Sequence, residues 1–195
     1  MEIVKTIILA IAAYFIGSIS FSYIITKKTT GKDIRDVKVK NAGALNVFVS
    51  VGSLMGIIVC LLDILKTLVI ILVAHLWGLN LVHSIIAASF GIIGHCFPIY
   101  YNFYGGKGAS TVIGILIYYI PLELLICIIP AAIIAFLIHR PGFAPVFFIP
   151  LSPLAAYISH KSLTLVNALI YIVFLTSVLN AIIYFTKRDR RIFAD

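Results

Sequence analysis

Residues 54–77, LMGIIVCLLDILKTLVIILVAHLW, indicate the class of fold that this chain adopts. The run is longer than the ~20 residues that an α-helix needs to cross a bilayer, and only two of its side chains are formally charged. Asp63 and Lys66 are three residues apart, so a helix places them on one face, where they can neutralise each other or meet a partner inside a bundle. The sequence leaves open whether this pair is purely structural or supports a site.

The composition extends this prediction to the whole chain. Hydrophobic residues make up 62% of the 195 residues, charged residues make up 11%, and the mean hydropathy is +1.15. Soluble domains have an apolar share of ~45–50%, so this chain is predicted to be an integral membrane protein. The alternating pattern of a membrane β-barrel is absent from the sequence. We therefore predict an all-α membrane protein in which residues 1–195 form a single polytopic domain with about seven transmembrane helices.

Further apolar runs give the other predicted spans. The first, residues 6–26, is followed at once by Lys27 and Lys28, which form a stop-transfer flank and distinguish it from a cleaved signal peptide. Later spans are predicted over residues 84–100, from about residue 109, and over residues 124–138, 143–158 and 163–185, with Glu123 in the outer turn before residue 124. Pro130 predicts an interrupted helix in one of these spans, and Pro145, Pro150 and Pro153 predict a broken or kinked helix in the next.

The distribution of basic residues predicts the orientation. Of the 15 Lys and Arg residues, only Lys5, Lys66 and Lys161 fall outside the segments assigned to the inner side, and the C-terminal basic group is Lys187, Arg188, Arg190 and Arg191. Because cytoplasmic loops carry an excess of Lys and Arg, we expect the N-terminus outside and the C-terminus in the cytoplasm. The net charge of +8 favours anionic lipids and phosphorylated metabolites as partners. Nucleic acid is not expected, since no soluble module exists to hold it.

Residues 94–111, GHCFPIYYNFYGGKGAST, form a candidate phosphate site between two spans. Gly105, Gly106 and Gly108 permit positive φ angles and close approach, so their N–H groups can surround an anion while Lys107 supplies the countercharge. A helix that begins near residue 109 points its positive end at the same place. The motif lacks the spacing of a Walker A loop, so a flexible turn with an interfacial lysine is the alternative interpretation.

A second polar segment, residues 27–46, ends in Asn41, Gly43, Ala44 and Asn46. Amide side chains and a glycine before an apolar helix suit a capping turn whose N–H groups bind an anion. His95 lies near the end of its span, where it can cap carbonyl groups or touch a bound anion. The three cysteines are isolated in apolar segments, so we predict no disulfide framework, no metal site and no cofactor.

The order of these motifs resembles that of a known family. The chain reads G-x-D-I-R at residues 31–35, N-x-G-A-x-N at 41–46, L-D-x-L-K at 62–66 and G-H-x-x-P-x-x-x-x-F-x-G-G-K-G at 94–108. In this collinear series it is similar to the bacterial acyl-phosphate:glycerol-3-phosphate acyltransferases of the PlsY family. The resemblance implies a seven-helix enzyme of the bacterial cell (inner) membrane that acts in phospholipid biosynthesis. Such an enzyme moves a fatty acyl group from acyl phosphate to the 1-hydroxyl of glycerol 3-phosphate, giving lysophosphatidic acid and phosphate.

The chain departs from the family pattern in two motifs. The family's first motif reads G-S-G-N-x-G-A-T-N-x-x-R, and this chain has Val39, Leu45 and Val49 in place of its serine, threonine and arginine. The family's third motif, H-R-x-N, is matched only by TKRD at residues 186–189. Losing a donor that orients or neutralises phosphate costs ~2–4 kcal/mol in the transition state.

Two hypotheses about function follow from the sequence. In the first, the chain is an acyltransferase: Lys107 and the amides of residues 105–108 hold one phosphate, and the turn at residues 41–46 holds the other, with Lys40 replacing lost charge. Because acyl phosphate is already activated, positioning and charge neutralisation do much of the chemistry, and a phosphate oxygen or His95 accepts the hydroxyl proton. The acyl chain lies between helices. In the second hypothesis, the chain is a non-catalytic relative that binds a phosphorylated lipid precursor as a regulator or partner.

Overall fold

The computed structural model describes residues 1–186, and every regular element in that range is helical. The all-helical prediction is therefore confirmed for this part of the chain. The helices are α1 (Glu2–Gly17), α2 (Phe21–Thr30), α3 (Ala44–Ser50), α4 (Ser53–Leu76), α5 (Leu81–Cys96), α6 (Ala109–Tyr119), α7 (Pro121–Leu137), α8 (Ala144–Ile158) and α9 (Leu163–Phe185). Short 3₁₀ turns occur at Ile34–Asp36, Ile99–Tyr101 and Pro141–Phe143.

Four helical segments of the described chain are long and apolar enough to cross a membrane. They are Glu2–Thr30, Ser53–Leu76, Leu81–Tyr101 and Leu163–Phe185, and α6, α7 and α8 are shorter apolar helices. These segments coincide with the spans predicted from the sequence, while the number that cross the bilayer and their orientation stay predictions. The C-terminal basic group and residues 187–189 of the third motif lie outside the described residues.

The first long segment is broken into α1 and α2, whereas the sequence predicts one continuous helix over residues 6–26. The break has a local cause: the Ser20 hydroxyl accepts a hydrogen bond from the Tyr23 N–H (3.4 Å) and so caps the start of α2. The break also leaves carbonyl groups without helical partners. Those of Gly17 and Ile19 accept hydrogen bonds from the Lys66 ammonium, at 3.0 and 3.2 Å.

Helices α1 and α5 pack with their backbones close together. A Cβ atom on Gly17 would overlap the Gly91 carbonyl, and one on Gly94 would overlap the Tyr14 carbonyl. Ala13 lies fully buried in the same contact. Small residues allow helices in an apolar medium to approach until their backbones touch. This contact fixes the end of α5, where His95 lies, against the break between α1 and α2.

The proline-containing helices α7 and α8 are continuous, so the predicted interruption is wrong, while the kink predicted as its alternative over residues 143–158 stays a prediction. Pro130 lies inside α7, and Pro145 occupies the first turn of α8, where a missing N–H has no helical acceptor to lose. Pro153 lies inside α8 and removes the donor that would bond the Ile149 carbonyl. The Ser152 hydroxyl donates to that carbonyl instead, at 2.7 Å, so the carbonyl of Ile149 keeps a donor.

Glu123 also differs from its predicted place in an outer turn. It lies in the first turn of α7, is 4% exposed, and its Oε1 atom is 3.3 Å from the Lys161 ammonium. The ion pair joins the start of α7 to the loop between α8 and α9. A carboxylate in the first turn also interacts favourably with the helix dipole.

The α1–α5 contact generates a paired prediction. Gly94→Ala places a methyl group against the rigid backbone of α1, so we expect it to lower the free energy of unfolding by ~1–3 kcal/mol. Gly91→Ala is the matched control, because its methyl group would meet only the movable tip of the Ile70 side chain, at 2.8 Å. Thermal unfolding in detergent measures the stability of both variants. Equal unfolding temperatures for the two variants would contradict the close backbone contact at Gly94.

Candidate functional site

A cavity of about 370 Å³ opens where the two glycine-containing polar segments meet. One wall comes from the turn before α3, another from the turn before α6, and the floor comes from α4 and α5. Most of the site residues predicted from the sequence line it: Asn41, Gly43, Ala44, Asp63, His95, Lys107 and Gly108. The fold thus brings together segments that are more than sixty residues apart in the chain.

A network of three buried polar side chains forms below this cavity. The Lys66 Nζ atom is 2.8 Å from Asp63 Oδ1 and 3.0 Å from His95 Nδ1. Asp63, Lys66 and His95 are only 1%, 5% and 7% exposed. A buried ion pair needs this many partners to offset its lost hydration. The pair at Asp63 and Lys66 is therefore both structural and in direct contact with a residue of the cavity floor.

Gly105 and Gly106 serve close packing and do not line the cavity. The Gly106 N–H donates to the His95 carbonyl at 3.1 Å, so this amide is occupied and does not form part of the anion cradle expected from the sequence. A Cβ atom on Gly105 would overlap the same carbonyl, and one on Gly106 would overlap His95 Nε2. The two glycines are required because the loop lies directly against the end of α5.

The residues of this segment that line the cavity are Lys107 and those at the start of α6. Gly108 has a φ of +84° and forms the N-cap of α6, and Ala109 and Ser110 follow it along the cavity wall. The first-turn amides of a helix have no intrahelical acceptor and carry the positive end of the helix dipole. Lys107 adds a full positive charge beside them.

Asn46 and Asn41 have different environments. Asn46 is 1% exposed and is absent from the cavity lining, because its amide group is bonded entirely within the segment. It donates to the carbonyls of Ile34, Val37 and Asn41 and accepts from the Val39 N–H and the Ser50 hydroxyl. Asn41 lines the cavity, and its buried Oδ1 atom has no hydrogen-bond partner within the described residues. Asn46 thus holds the turn in shape, while Asn41 offers an acceptor.

The departures from the first motif change the same turn. Leu45 lines the cavity with an apolar side chain, and the carbonyl of Val49 accepts a hydrogen bond from the Lys38 ammonium. Lys38 and Lys40 have φ angles of +39° and +52°, a conformation that favours glycine. The family motif has glycine at both positions. This chain therefore places two cations in a backbone conformation that costs free energy for any side chain.

Arg35 connects this turn to the loop before α6, a role that sequence reasoning did not assign. Its Nη2 is 2.6 Å from Asp33 Oδ2, its Nη1 donates to the Tyr101 carbonyl at 2.9 Å, and its guanidinium lies over the rings of Tyr23 and Tyr104. Partial burial opposes ionisation of Asp33, but the hydrogen bonds and charge of Arg35 outweigh it and hold the pKa of that carboxyl below its ordinary value. The ion pair therefore stabilises the fold above the ordinary pKa of aspartate, and this contribution is lost as the pH falls through the lowered pKa.

Asn180 is a second residue that sequence reasoning missed. From α9, its Nδ2 donates to the Lys107 carbonyl at 3.1 Å and to the Thr176 carbonyl at 2.8 Å. The available signal was an amide side chain in a mostly apolar helix. Asn180 also lines a second cavity of about 260 Å³ between α8 and α9, which shares Lys107 and Gly108 with the first. The backbone of Lys107 is thus held where the two cavities adjoin.

Comparisons with known proteins agree with the resemblance noted in the motifs. A family model described as glycerol-3-phosphate acyltransferase matches residues 7–194. A protein of that name from Pseudomonas fluorescens is 34% identical over 80% of this chain and 83% of the relative. A glycerol-3-phosphate acyltransferase 2 from Dehalococcoides mccartyi is 42% identical over 62% of this chain, and the match spans 57% of that relative's length. The matched region of a Mycoplasma capricolum relative, 40% identical, likewise spans 53% of its length.

A solved structure is also similar over almost the whole chain. It is that of PlsY (YgiH), described as an integral membrane glycerol 3-phosphate acyltransferase, in its glycerol 3-phosphate form. The two chains share 26% identity and a TM-score of 0.81, with 94% of each covered. The lysophosphatidic acid form, 24% identical with a TM-score of 0.71, shows the same fold.

The Arg35 contacts predict local stabilisation of residues 31–46. Arg35→Lys keeps the charge but loses the planar guanidinium and its stacking on tyrosine. We therefore expect the free energy of local opening of these backbone amides to fall by ~1 kcal/mol. Hydrogen exchange followed by mass spectrometry then shows about fivefold faster exchange in this segment. Lys32→Gln, which removes an exposed cation from the same loop, is the control and leaves exchange unchanged. Unaltered exchange in Arg35→Lys would contradict the bridging role.

Proposed function

This chain belongs to the glycerol-3-phosphate acyltransferase family, and on that premise we propose that it transfers a fatty acyl group from acyl phosphate to glycerol 3-phosphate. The observation that carries the proposal is the meeting of two cavities at Lys107, both lined mainly by apolar side chains, with Asn41, Asp63 and His95 adding polar groups to the first. A phosphorylated acceptor and an acyl donor require such a combination. The products are lysophosphatidic acid and phosphate.

Each phosphate has its own group of ligands in this proposal. Lys107 and the first-turn amides of α6 bind one phosphate, and the turn that contains Asn41, Gly43 and Ala44 binds the other, with Lys40 adding charge. The unpaired Oδ1 atom of Asn41 accepts a hydrogen bond from a glycerol hydroxyl. Asn46 contributes indirectly, because it fixes the turn that presents these groups.

The acyl chain occupies the second cavity. Its lining includes Ile149, Pro150 and Val173 from α8 and α9, and it joins the first cavity at Lys107, Gly108 and Pro145. An apolar chain in this position leaves the reactive carbonyl beside Lys107. Entry between helices from the bilayer spares the chain any passage through water.

The reaction needs no protein nucleophile. The glycerol hydroxyl oxygen forms a bond to the acyl carbon, the bond between that carbon and the phosphate oxygen breaks, and the hydroxyl proton passes to a phosphate oxygen. The protein supplies positioning and positive charge near the oxygens that become more negative in the transition state. Lys107 and the α6 amides, held in place by Asn180, fit this requirement.

We further propose that the cavity opens on the cytoplasmic side of a bacterial inner membrane. The same end of the bundle carries the basic residues of the α2–α3 segment, among them Lys27, Lys28, Lys38 and Lys40. This placement follows the positive-inside rule and gives both phosphorylated substrates direct access from the cytoplasm.

Leu45 supports a second candidate function, that of a non-catalytic relative which binds a phosphorylated lipid precursor. This side chain makes part of the first cavity apolar where the family motif has threonine. Loss of the serine and arginine at positions 39 and 49 removes further polar groups from the same turn. In that case the phosphorylated precursor would bind at Lys107, and no acyl group would be transferred.

Release of phosphate from a long-chain acyl phosphate tests the first function. We expect purified protein in detergent to release phosphate only when glycerol 3-phosphate is present, and Lys107→Ala to lower the rate by ~10²–10³-fold because a transition-state charge is lost. Lys28→Ala, which removes an exposed cation at the end of α2, is the control and keeps the wild-type rate.

Acceptor-independent release, or equal rates in wild type and Lys107→Ala, would contradict the proposed transfer. If folded wild type releases no phosphate, the combined variant Val39→Ser, Leu45→Thr and Val49→Arg separates the two functions. Activity gained by this variant identifies the natural chain as a binding relative with an otherwise complete site.

Alkylation of Cys60 reports binding independently of turnover. Cys60 lines the first cavity with its Sγ atom 3.6 Å from the Ser110 hydroxyl, whereas Cys96 and Cys127 are buried. We expect glycerol 3-phosphate to slow labelling of Cys60 by a maleimide, and glycerol at the same concentration to leave it unchanged. Cys60→Ser identifies the labelled site by losing the signal. Labelling that is indifferent to glycerol 3-phosphate would argue against binding in this cavity.

A further inference from the structure

We propose that His95 acts as a fixed hydrogen-bond donor to an anionic oxygen of the bound substrate, and that Lys66 is the residue that imposes this role. The proposal rests on the acyltransferase function proposed above and deepens it. The sequence leaves either a phosphate oxygen or His95 as acceptor of the hydroxyl proton, and this proposal removes His95 from that choice. Three features of the structure support it: the partners of Lys66, the direction of the His95 ring and the place of His95 in the cavity lining.

The partners of Lys66 require its charged form. Its Nζ atom contacts the Asp63 carboxylate at 2.8 Å and the carbonyls of Gly17 and Ile19 at 3.0 and 3.2 Å. The carboxylate pairs with the charge of the ammonium and the two carbonyls accept two of its three protons, so these oxygens favour the charged form and leave one N–H for a further acceptor. The fourth neighbour, at 3.0 Å, is His95 Nδ1.

An ammonium next to His95 Nδ1 fixes the state of the imidazole. An ammonium has no lone pair, so Nδ1 must present its own lone pair to make this contact. A proton on Nδ1 would place the Nδ1–H and Lys66 N–H donors against each other at 3.0 Å. The alternative acceptor for that proton, Asp63 Oδ1, is 3.5 Å away, which makes a weak hydrogen bond. The ring is therefore neutral and carries its proton on Nε2.

The Nε2 atom faces away from the network, toward the loop before α6. A Cβ atom on Gly106 would overlap it, so only glycine at that position leaves it accessible. His95 is 7% exposed and lines the first cavity together with Asp63 and Lys107. The side-chain contacts of His95 with Lys66 and Asp63 are both made by Nδ1, so they leave the Nε2 proton for an oxygen of a bound substrate.

The ligand chemistry is an anionic oxygen, and the substrates offer two sources. One is a phosphate oxygen, which is charged before and during the reaction. The other is the acyl carbonyl oxygen, which becomes charged only as the glycerol hydroxyl attacks. Donation to phosphate lowers KM for glycerol 3-phosphate or acyl phosphate, whereas donation to the carbonyl raises kcat.

Two substitutions separate a donor from a base. The amide nitrogen of His95→Gln reaches about the position of Nε2 and donates, but the amide cannot accept a proton from a hydroxyl. His95→Phe keeps the ring and loses the donor. We expect His95→Gln to retain activity within about tenfold of wild type and His95→Phe to lose ~10²–10³-fold. If His95 donates to a phosphate oxygen, the lost activity of His95→Phe appears as a higher KM. If it donates to the acyl carbonyl oxygen, the loss appears as a lower kcat.

Nitrogen NMR of histidine-labelled protein in detergent gives a readout that does not depend on activity. The chain has 5 histidines, and the His95 signals are assigned by their absence in His95→Gln. We expect a neutral ring with the proton on Nε2. Addition of glycerol 3-phosphate or inorganic phosphate shifts the Nε2 signal if its target is phosphate, and only a complete substrate pair shifts it if its target is the carbonyl.

The outcomes that overturn the proposal are distinct from those that overturn the proposed function. A proton on Nδ1, equal loss of activity in His95→Gln and His95→Phe, or full activity in His95→Phe would each exclude the donor role. Wild-type protein without acyl transfer would exclude the proposed function. In that case, an Nε2–H signal shifted by phosphate still supports His95 as a donor in a binding site, and a signal unmoved by phosphate excludes it.

Discussion

The contact of the buried Lys66 ammonium with four acceptors is the interaction on which the site depends. It joins the break between α1 and α2 to α4 and α5, because the carbonyls of Gly17 and Ile19 come from the break and Asp63 and His95 come from the two helices. Removing one partner from a buried ion pair costs ~3–5 kcal/mol, since the remaining charge stays without hydration. The break in the first helix is thus part of the site, because a continuous helix would have used those carbonyls for its own hydrogen bonds.

Glycine determines how closely the polar groups approach one another. At Gly17 and Gly94 the absence of a side chain lets α1 and α5 touch, which brings the free carbonyls within reach of Lys66. At Gly105 and Gly106 the same property lets a loop lie on the end of α5, where the Gly106 N–H bonds the His95 carbonyl. A glycine-rich stretch next to a lysine is usually interpreted as a flexible cradle for phosphate. In this chain two of its three glycines are packing residues, and the helix that follows supplies the amides.

The sequence predicted the helical class and the apolar segments, and most of its predicted site residues line the cavity, because apolar runs and clustered polar motifs are local properties. It did not predict the role of Gly106, the bonds of Asn46 or the clamp of Asn180 on Lys107, because each depends on a partner that only the tertiary fold brings near. The predicted break in α8 was wrong for a similar reason. Proline predicts a break from its missing N–H, but Ser152 supplies a donor to the Ile149 carbonyl in the folded helix. Arg35 stood in a recognised motif, and only the fold shows that its partners lie on two separate loops.

The energetics of the polar network bear on how the altered first motif is interpreted. Well-packed apolar side chains in place of a buried ion pair are often neutral or stabilising, so Asp63 and Lys66 contribute less to stability than to the arrangement of the groups around them. What they arrange is the imidazole of His95, a residue that lines the cavity together with Lys107. Leu45 replaces a polar group on the opposite wall, and Val39 and Val49 replace polar groups of the same motif outside the cavity lining, yet all three leave this network and the start of α6 complete. The site therefore has one wall that has become more apolar and a floor that keeps its charged side chains. Acyl transfer from an already activated donor needs a neutralised and well-placed phosphate, and these requirements depend on the floor.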